Sequence, residues 1–109
     1  SSELGFPGAT LLDMDQRKVV AALDPANRHI ADAALAHTDL VNAKKRTIAA
    51  LQIDDVLEDI VISLSSEYHL LRPSRRQPQL LFFVALDRRR ANLAMARYQL
   101  SNLEGDTVL

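Results

Sequence analysis

The 109-residue chain has the composition of an ordinary globular protein, with 48% hydrophobic residues, 25% charged residues and a formal net charge of -1. This balance excludes intrinsic disorder, and a chain of this length can bury enough apolar surface to fold as one domain. Cysteine is absent, which excludes disulfides, thiolate zinc sites and cysteine nucleophiles. No apolar stretch approaches the roughly 20 residues of a membrane span. We therefore expect a single cytoplasmic domain over residues 1–109.

The chain opens with a predicted β-hairpin over residues 8–23, where two apolar runs flank a polar Asp and Gln cluster. Asp24 is a candidate N-cap, and Pro25 suits the first helical position because its missing N–H costs little there. No Gly or Pro follows before Leu51. The sequence therefore predicts a helix of about 26 residues.

Two adjacent faces of this long helix can be separated by residue spacing. One is an apolar stripe suited to packing on a sheet: Ile30, Ala34, His37, Val41, Ile48 and Leu51. The other, here called the seam, alternates spacings of three and four residues: Ala33, Ala36, Leu40, Ala43, Thr47 and Ala50. Small residues in the seam favour close approach of a second helix. Alanine is also the best helix former, so chance could produce the same pattern.

Three strands are predicted after the helix. Residues 60–64 alternate and are rich in β-branched side chains, and a short turn leads to a second strand over residues 68–72. The run 79–86 is apolar after its first position, which suits a central strand covered on both faces. Asp87 is then predicted to cap a final helix over residues 88–103.

The order of predicted elements is β-β-α-β-β-β-α. Hairpin-length connections cannot join parallel strands, so the last three strands must be antiparallel neighbours. The sequence therefore predicts an α+β fold: a five-stranded antiparallel sheet with a long helix between strands two and three and a C-terminal helix.

Motifs for catalysis, cofactors and metals are missing from the sequence. There is no Gly-rich phosphate-binding loop and no dinucleotide fingerprint. None of the three histidines, His29, His37 and His69, is in a zinc-binding spacing. His37 and His69 are expected to be packing or interface residues. An acidic cluster lacks the glycine of a calcium loop and is expected to be a solvated strand edge: Asp54, Asp55, Glu58 and Asp59. We expect no enzyme activity and no cofactor.

Basic side chains concentrate late in the chain, where residues 72–97 hold seven arginines and one acid, Asp87. Candidate partner-binding residues are Arg75, Arg76, Arg88, Arg89 and Arg90. The last three would lie in the first turn of the final helix, where the helix dipole disfavours cations. They could pair with Asp87 and the acidic cluster, or together with the first two could bind an acidic protein, a lipid headgroup or a phosphate. Few aromatic residues and the net charge disfavour nucleic acid.

Six segments carry a resemblance to a known family: LEDIVISL at 57–64, YHLLRP at 68–73, LDR at 86–88, ANLAMAR at 91–97, GATLLD at 8–13 and AKKRT at 43–47. They resemble the bacterial branch of the roadblock / dynein light chain family. The resemblance covers nearly the whole chain. It implies the five-stranded sheet and long helix already predicted, in a roadblock/profilin-like α/β/α sandwich. It also implies a helix before the first strand, for which residues 1–6 are too short.

The resemblance further implies self-association, because members of the family pair their third strands and pack their long helices together. The matching interface positions are the seam residues together with Leu57, Glu58, Asp59, Ile60 and Ile62. Family members regulate or scaffold Ras-like small GTPases, or serve as motor light chains, without a catalytic site. The leading hypothesis is therefore a non-catalytic homodimer that binds a Ras-like small GTPase. The alternative is a small-molecule sensor of the profilin, PAS or longin type, since a sheet flanked by helices can open a pocket.

Overall fold

A computed structural model describes residues 9–22 and 35–106. Over these residues the chain forms one five-stranded sheet and two helices. The elements are β1 Thr10–Asp13, β2 Lys18–Ala22, α1 His37–Ala50, β3 Ile60–Ser63, β4 Glu67–Pro73, β5 Leu80–Asp87 and α2 Leu93–Asp106. Each strand matches a predicted strand within about two residues, the usual uncertainty at element ends. The predicted α+β fold class is confirmed.

The strand order is β2-β1-β5-β4-β3, and every pair of neighbours is antiparallel. The apolar run of β5 lies at the centre of the sheet, as its pattern predicts, and is buried from Leu80 to Val84. The sheet ends on one side at β2 and on the other at β3. Because β3 pairs only with β4 among the described strands, its outer backbone groups form a free edge.

The sheet separates two apolar layers because successive side chains of a strand point to opposite faces. On one face α2 packs against the sheet, and the buried cluster is Ala9, Leu11, Leu70, Leu80, Phe82, Val84, Leu86, Ala96 and Leu100. On the other face lies α1, and the buried cluster is Leu12, Met14, Val41, Leu71, Leu81 and Phe83. The fold is thus an α/β/α sandwich.

Helix α1 begins later than the sequence predicts. Residues 25–34 of the predicted helix lie outside the described residues, the next two form a turn, and α1 starts at His37. The carbonyl of Leu35 accepts the Thr38 N–H at 3.2 Å, a three-residue spacing typical of a tight turn. The prediction of one uninterrupted helix is wrong at this turn, because the absence of Gly and Pro permits a helix without requiring one.

The other end of α1 lacks the glycine that often terminates a helix. Gln52 adopts a positive φ of 56°, the left-handed conformation that usually stops a helix two residues after its last turn. The amides of Leu51 and Gln52 donate to the carbonyls of Thr47 and Ala49 at 3.0 and 3.1 Å. The chain therefore turns away from α1 immediately after Ala50.

The final helix also begins later than predicted, at Leu93 and not at Arg88. Asp87 does cap a turn, since its side chain accepts the Arg89 N–H at 2.9 Å, but that turn does not continue. The functional N-cap is Asn92, whose side-chain oxygen accepts the Met95 N–H at 3.0 Å. The prediction of a helix over 88–103 is therefore wrong at its start, because a second capping residue takes over.

Candidate functional site

The seam of α1 faces outward in the structure. Leu40 keeps 41% of its surface exposed, Ala36, Thr47 and Ala50 are exposed, and Ala43 is half-buried. Ala33 lies outside the described residues. The Thr47 hydroxyl donates to the Ala43 carbonyl at 3.0 Å, so its hydrogen bond is made within the helix. The described part of the seam is thus a narrow, mostly apolar strip with its main polar group already satisfied.

The side chains of β3, the strand at the free edge, differ in burial between the two faces of the sheet. Ile60 and Ile62 are half-buried against the layer under α1, together with Leu57 just before the strand. Val61 and Ser63 are exposed on the opposite face. The strand therefore presents unpaired backbone groups with an apolar side toward α1.

Two of the predicted interface residues lie before this strand. Glu58 is exposed. Asp59 forms an ion pair with Arg97 of α2, with Oδ2 accepting from Nε at 2.8 Å and Oδ1 from Nη2 at 3.1 Å. This bidentate pair raises the pKa of Arg97 through its hydrogen bond and charge contact with Asp59. Asp59 therefore holds the start of β3 to α2 within the same chain.

Arg88, Arg89 and Arg90 lie in the turn between β5 and α2, not in a helix. The argument from the helix dipole therefore does not apply to them. Arg88 donates to the Leu64 carbonyl at 2.8 Å, and its guanidinium lies 4.8 Å from the centre of the Tyr68 ring. Arg88 therefore connects the β5–α2 turn to the β3–β4 turn.

Arg89 lies beside Asp87, with Nε 3.6 Å from Oδ1. The backbone N–H of Arg89 and then its guanidinium hold the pKa of Asp87 below its usual value. The predicted pairing with Asp87 is thus confirmed for Arg89. The acidic cluster pairs instead with Arg97, through Asp59.

Arg75 and Arg76 lie in the β4–β5 loop, at the opposite end of β5 from the other three arginines. An eight-residue strand separates the two groups by about 23 Å. The Arg75 N–H donates at 2.7 Å to Oε1 of Glu104, a buried carboxylate in the last turn of α2. The five candidate arginines therefore form two separate groups, which we call the turn group (88–90) and the loop group (75–76).

His37 is the first residue of α1 and His69 lies in β4, while His29 is outside the described residues. His37 stacks on Phe83 with ring centres 4.8 Å apart, and His69 meets the same ring edge-on at 5.2 Å. Nε2 of His69 lies 3.1 Å from Oε1 of Glu67. These contacts support the expected packing role of both residues.

A cleft of about 640 Å³ lies beside the second half of α1. Its walls are α1, the segment after α1 and the β4–β5 loop. The lining residues are Lys45, Ile48, Ala49, Ile53, Asp55, Val56, Leu57, Pro73, Ser74, Arg75 and Pro78. Sequence patterns did not predict this cleft, because three separate segments form it.

Residues 9–22 and 35–106 contain no group of three or more His, Asp or Glu side chains placed to hold a metal ion. Within the same ranges, neither helix is long and apolar enough to cross a membrane.

Neither family models nor curated protein sequences match the chain. Solved structures do match its sandwich of a five-stranded antiparallel sheet between two helices. Myxococcus xanthus MglB superimposes with a TM-score of 0.79 and 8% identity over 95% of this chain and 81% of MglB. A Roadblock/LC7 domain from Streptomyces avermitilis superimposes with a TM-score of 0.78 and 16% identity, over 95% of this chain and 88% of that domain. The chain has the roadblock fold, as its sequence resemblance implies.

Proposed function

We propose that the protein is a non-catalytic interaction domain that forms a homodimer and, as a dimer, regulates or scaffolds a Ras-like small GTPase in the cytoplasm. The observation that carries this proposal is the free edge of β3, with Ile60 and Ile62 on the face of the sheet that α1 covers, together with the exposed seam of α1. An open strand edge and an apolar helix strip are both surfaces that a second chain can cover.

The dimer uses both features at once. Backbone pairing of two β3 strands makes one continuous sheet, and the two α1 helices then pack along their seams. Small side chains at Ala43 and Ala50 allow a close approach, and Leu40 supplies apolar area. Asp59 is engaged with Arg97, so its part in the proposed interface is to fix the start of β3 and not to contact the partner.

A small GTPase is proposed as the partner for two reasons. The sequence resembles a family whose members act on such proteins, and the fold agrees with that resemblance. The arginine groups supply the charge for an acidic partner surface. Both groups have exposed arginines without an ion pair among the described residues: Arg90, Arg75 and Arg76. The turn group is the better candidate because it places three arginines in one turn, with Arg88 fixed in place, whereas the loop group has two.

Self-association is tested by sedimentation at ten to one hundred micromolar. We expect a dimer for the unaltered protein and a monomer for Leu40→Glu, because a charge in the seam cannot be buried without a partner. Val20→Glu is the matched control, since Val20 is 40% exposed on the opposite edge strand and Leu40 is 41% exposed. A monomeric unaltered protein would contradict the proposal.

The partner is tested by affinity capture from the native organism, followed by binding assays with the captured GTPase loaded with GDP or a GTP analogue. Two double variants test the arginine groups separately. One combines Arg89→Glu with Arg90→Glu, and the other combines Arg75→Glu with Arg76→Glu. We expect the first pair to weaken binding about tenfold or more. Failure to enrich any GTPase would refute this partner, and GTP hydrolysis by the isolated protein would refute the non-catalytic role.

The second candidate function is small-molecule sensing, and the cleft beside α1 favours it. Its volume of about 640 Å³ falls within the range of small-molecule sites, roughly 300 to 1,000 Å³.

A further inference from the structure

We infer that the cleft binds a small amphipathic monoanion, a carboxylate attached to a compact apolar body. This inference deepens the second candidate function and is independent of the GTPase partner. The cleft combines apolar walls with two cations and one acid: Lys45, Arg75 and Asp55. That combination matches a ligand with one negative end and one apolar end.

Lys45 is the first of the two cations that line the cleft. It lies four residues after the buried Val41 and three before Ile48, so it is on the face of α1 that turns toward the sheet. A lysine there is half-buried and loses hydration. Within residues 9–22 and 35–106 its ammonium group forms no ion pair. A ligand carboxylate in the cleft would supply the missing counter-charge.

The β4–β5 loop supplies the second cation on a fixed backbone. Glu104 accepts the Arg75 N–H at 2.7 Å, and the Ser74 N–H donates to the Leu80 carbonyl at 2.9 Å. The Ser74 hydroxyl accepts the Gln77 N–H at 3.1 Å. The loop is therefore organised before any ligand binds, which lowers the entropy cost of binding. The Arg75 side chain is exposed and makes no ion pair among the described residues.

The apolar walls explain why the ligand needs an apolar body. Val56 is 64% exposed and Ile53 is 45% exposed, although both line the cleft. Exposed apolar side chains that converge on a concave surface gain free energy when a ligand removes them from water. With Asp55 opposing the two cations, the net charge of the lining is one positive unit. A single carboxylate fits this charge better than a dianion.

Octanoate is the probe, and 1-octanol is its neutral counterpart of equal chain length. Binding to the full chain is followed by NMR shifts of backbone amides and by calorimetry. We expect octanoate to shift the amides of residues 53–57 and 73–78, and to bind about tenfold more tightly than 1-octanol, the usual effect of a charge-assisted contact.

Two variants test the cations, and one matched variant serves as control. Lys45→Met and Arg75→Gln should each weaken octanoate binding about threefold, so that the two cations together account for the tenfold difference, and should leave 1-octanol binding unchanged. Lys44→Met is the control, because Lys44 is exposed on the same helix and does not line the cleft. Octanoate binding that is equal in Lys45→Met and Lys44→Met would overturn the assignment of Lys45.

The outcomes separate this inference from the function on which it rests. Equal binding of octanoate and 1-octanol would refute the anion while leaving a sensor for neutral ligands. Absence of binding by both probes, in a protein whose amide spectrum shows a folded domain, would refute both. Neither result bears on the dimer or the GTPase.

Discussion

The two faces of the sheet differ in how completely their apolar side chains are buried. In α2, Ala96 and Leu100 are buried against the strands of the sheet. In α1, Thr38 and Val41 are buried, but Ala49 and Ala50 near its end are exposed and Leu51, just after the helix, is 61% exposed. Among residues 9–22 and 35–106, the α1 side of the sheet has a free strand edge, an exposed seam and a cleft, and these are the surfaces on which binding is proposed.

The largest expected contrast comes from leucines on the two faces. Leu100→Ala should lower the free energy of unfolding by about 3 kcal/mol, because it leaves a cavity in a fully packed layer. Leu51→Ala should lower it by less than about 0.5 kcal/mol, the usual effect at an exposed position. Urea denaturation at one protein concentration measures both. Similar losses would mean that the α1 face is as well packed as the α2 face.

The next contrast concerns the buried carboxylate of Glu104. Glu104→Gln should lower the free energy of unfolding by about 1 to 2 kcal/mol, because a charge-assisted hydrogen bond to the Arg75 N–H becomes a neutral one in a buried site. Hydrogen exchange of the Arg75 amide should become faster. Glu58→Gln, at an exposed position, serves as control and should change neither quantity. Unchanged exchange at Arg75 in the Glu104 variant would contradict the prediction.

Two ion pairs give a smaller contrast. Asp59→Asn should cost about 1 kcal/mol, because its bidentate pair with Arg97 is partly shielded from water, with the Asp59 side chain 11% exposed. Asp39→Asn should cost about 0.3 kcal/mol or less, because its pair with Arg17 on the α1 side is exposed. Thermal unfolding at low and high salt distinguishes them. An equal cost for both pairs would show that the shielding of Asp59 has no effect.

The smallest effect is a pH dependence at Asp87. Its pKa is lowered in the folded protein, so its contribution to stability is present above the unfolded value of about 3.9 and is lost as pH falls through the lowered folded value. Asp87→Asn should therefore make the free energy of unfolding depend slightly less steeply on pH at acid pH. Near pH 7 this pH dependence should not change. Urea titrations between pH 2 and 6 measure this difference, and a steeper acid side in the variant would have the wrong sign.

Local patterns predicted the strands well. The alternation of β3 and the apolar run of β5 each follow from side chains that lie on one or both faces of a sheet. The start of α2 was missed because both Asp87 and Asn92 are good caps, and the choice between them is made at long range. Arg88 bonds the Leu64 carbonyl, 24 residues away, and keeps the chain out of the helix.

The candidate sites were harder to predict than the fold. The seam residues that the structure describes are exposed or half-buried, and the helix–helix contact that their periodicity indicates stays a prediction. The sequence analysis treated the five arginines as one set, although the strand predicted over residues 79–86 already separates positions 75–76 from positions 88–90. The cleft needs three segments to meet, and the conformation of Gln52 that directs one of them has no glycine to mark it.

The hydrogen bond between Glu104 and the Arg75 N–H connects the last turn of α2 to the β4–β5 loop, which lines the cleft beside α1. The last turn of α2 and a wall of the cleft therefore share one bond, and opening either must break it. A ligand that needs the ordered β4–β5 loop would therefore disfavour fraying of the C-terminal turn, and fraying would weaken binding of that ligand by the same free energy. A tryptophan placed near the end of α2 would then report ligand binding on the far side of the sheet.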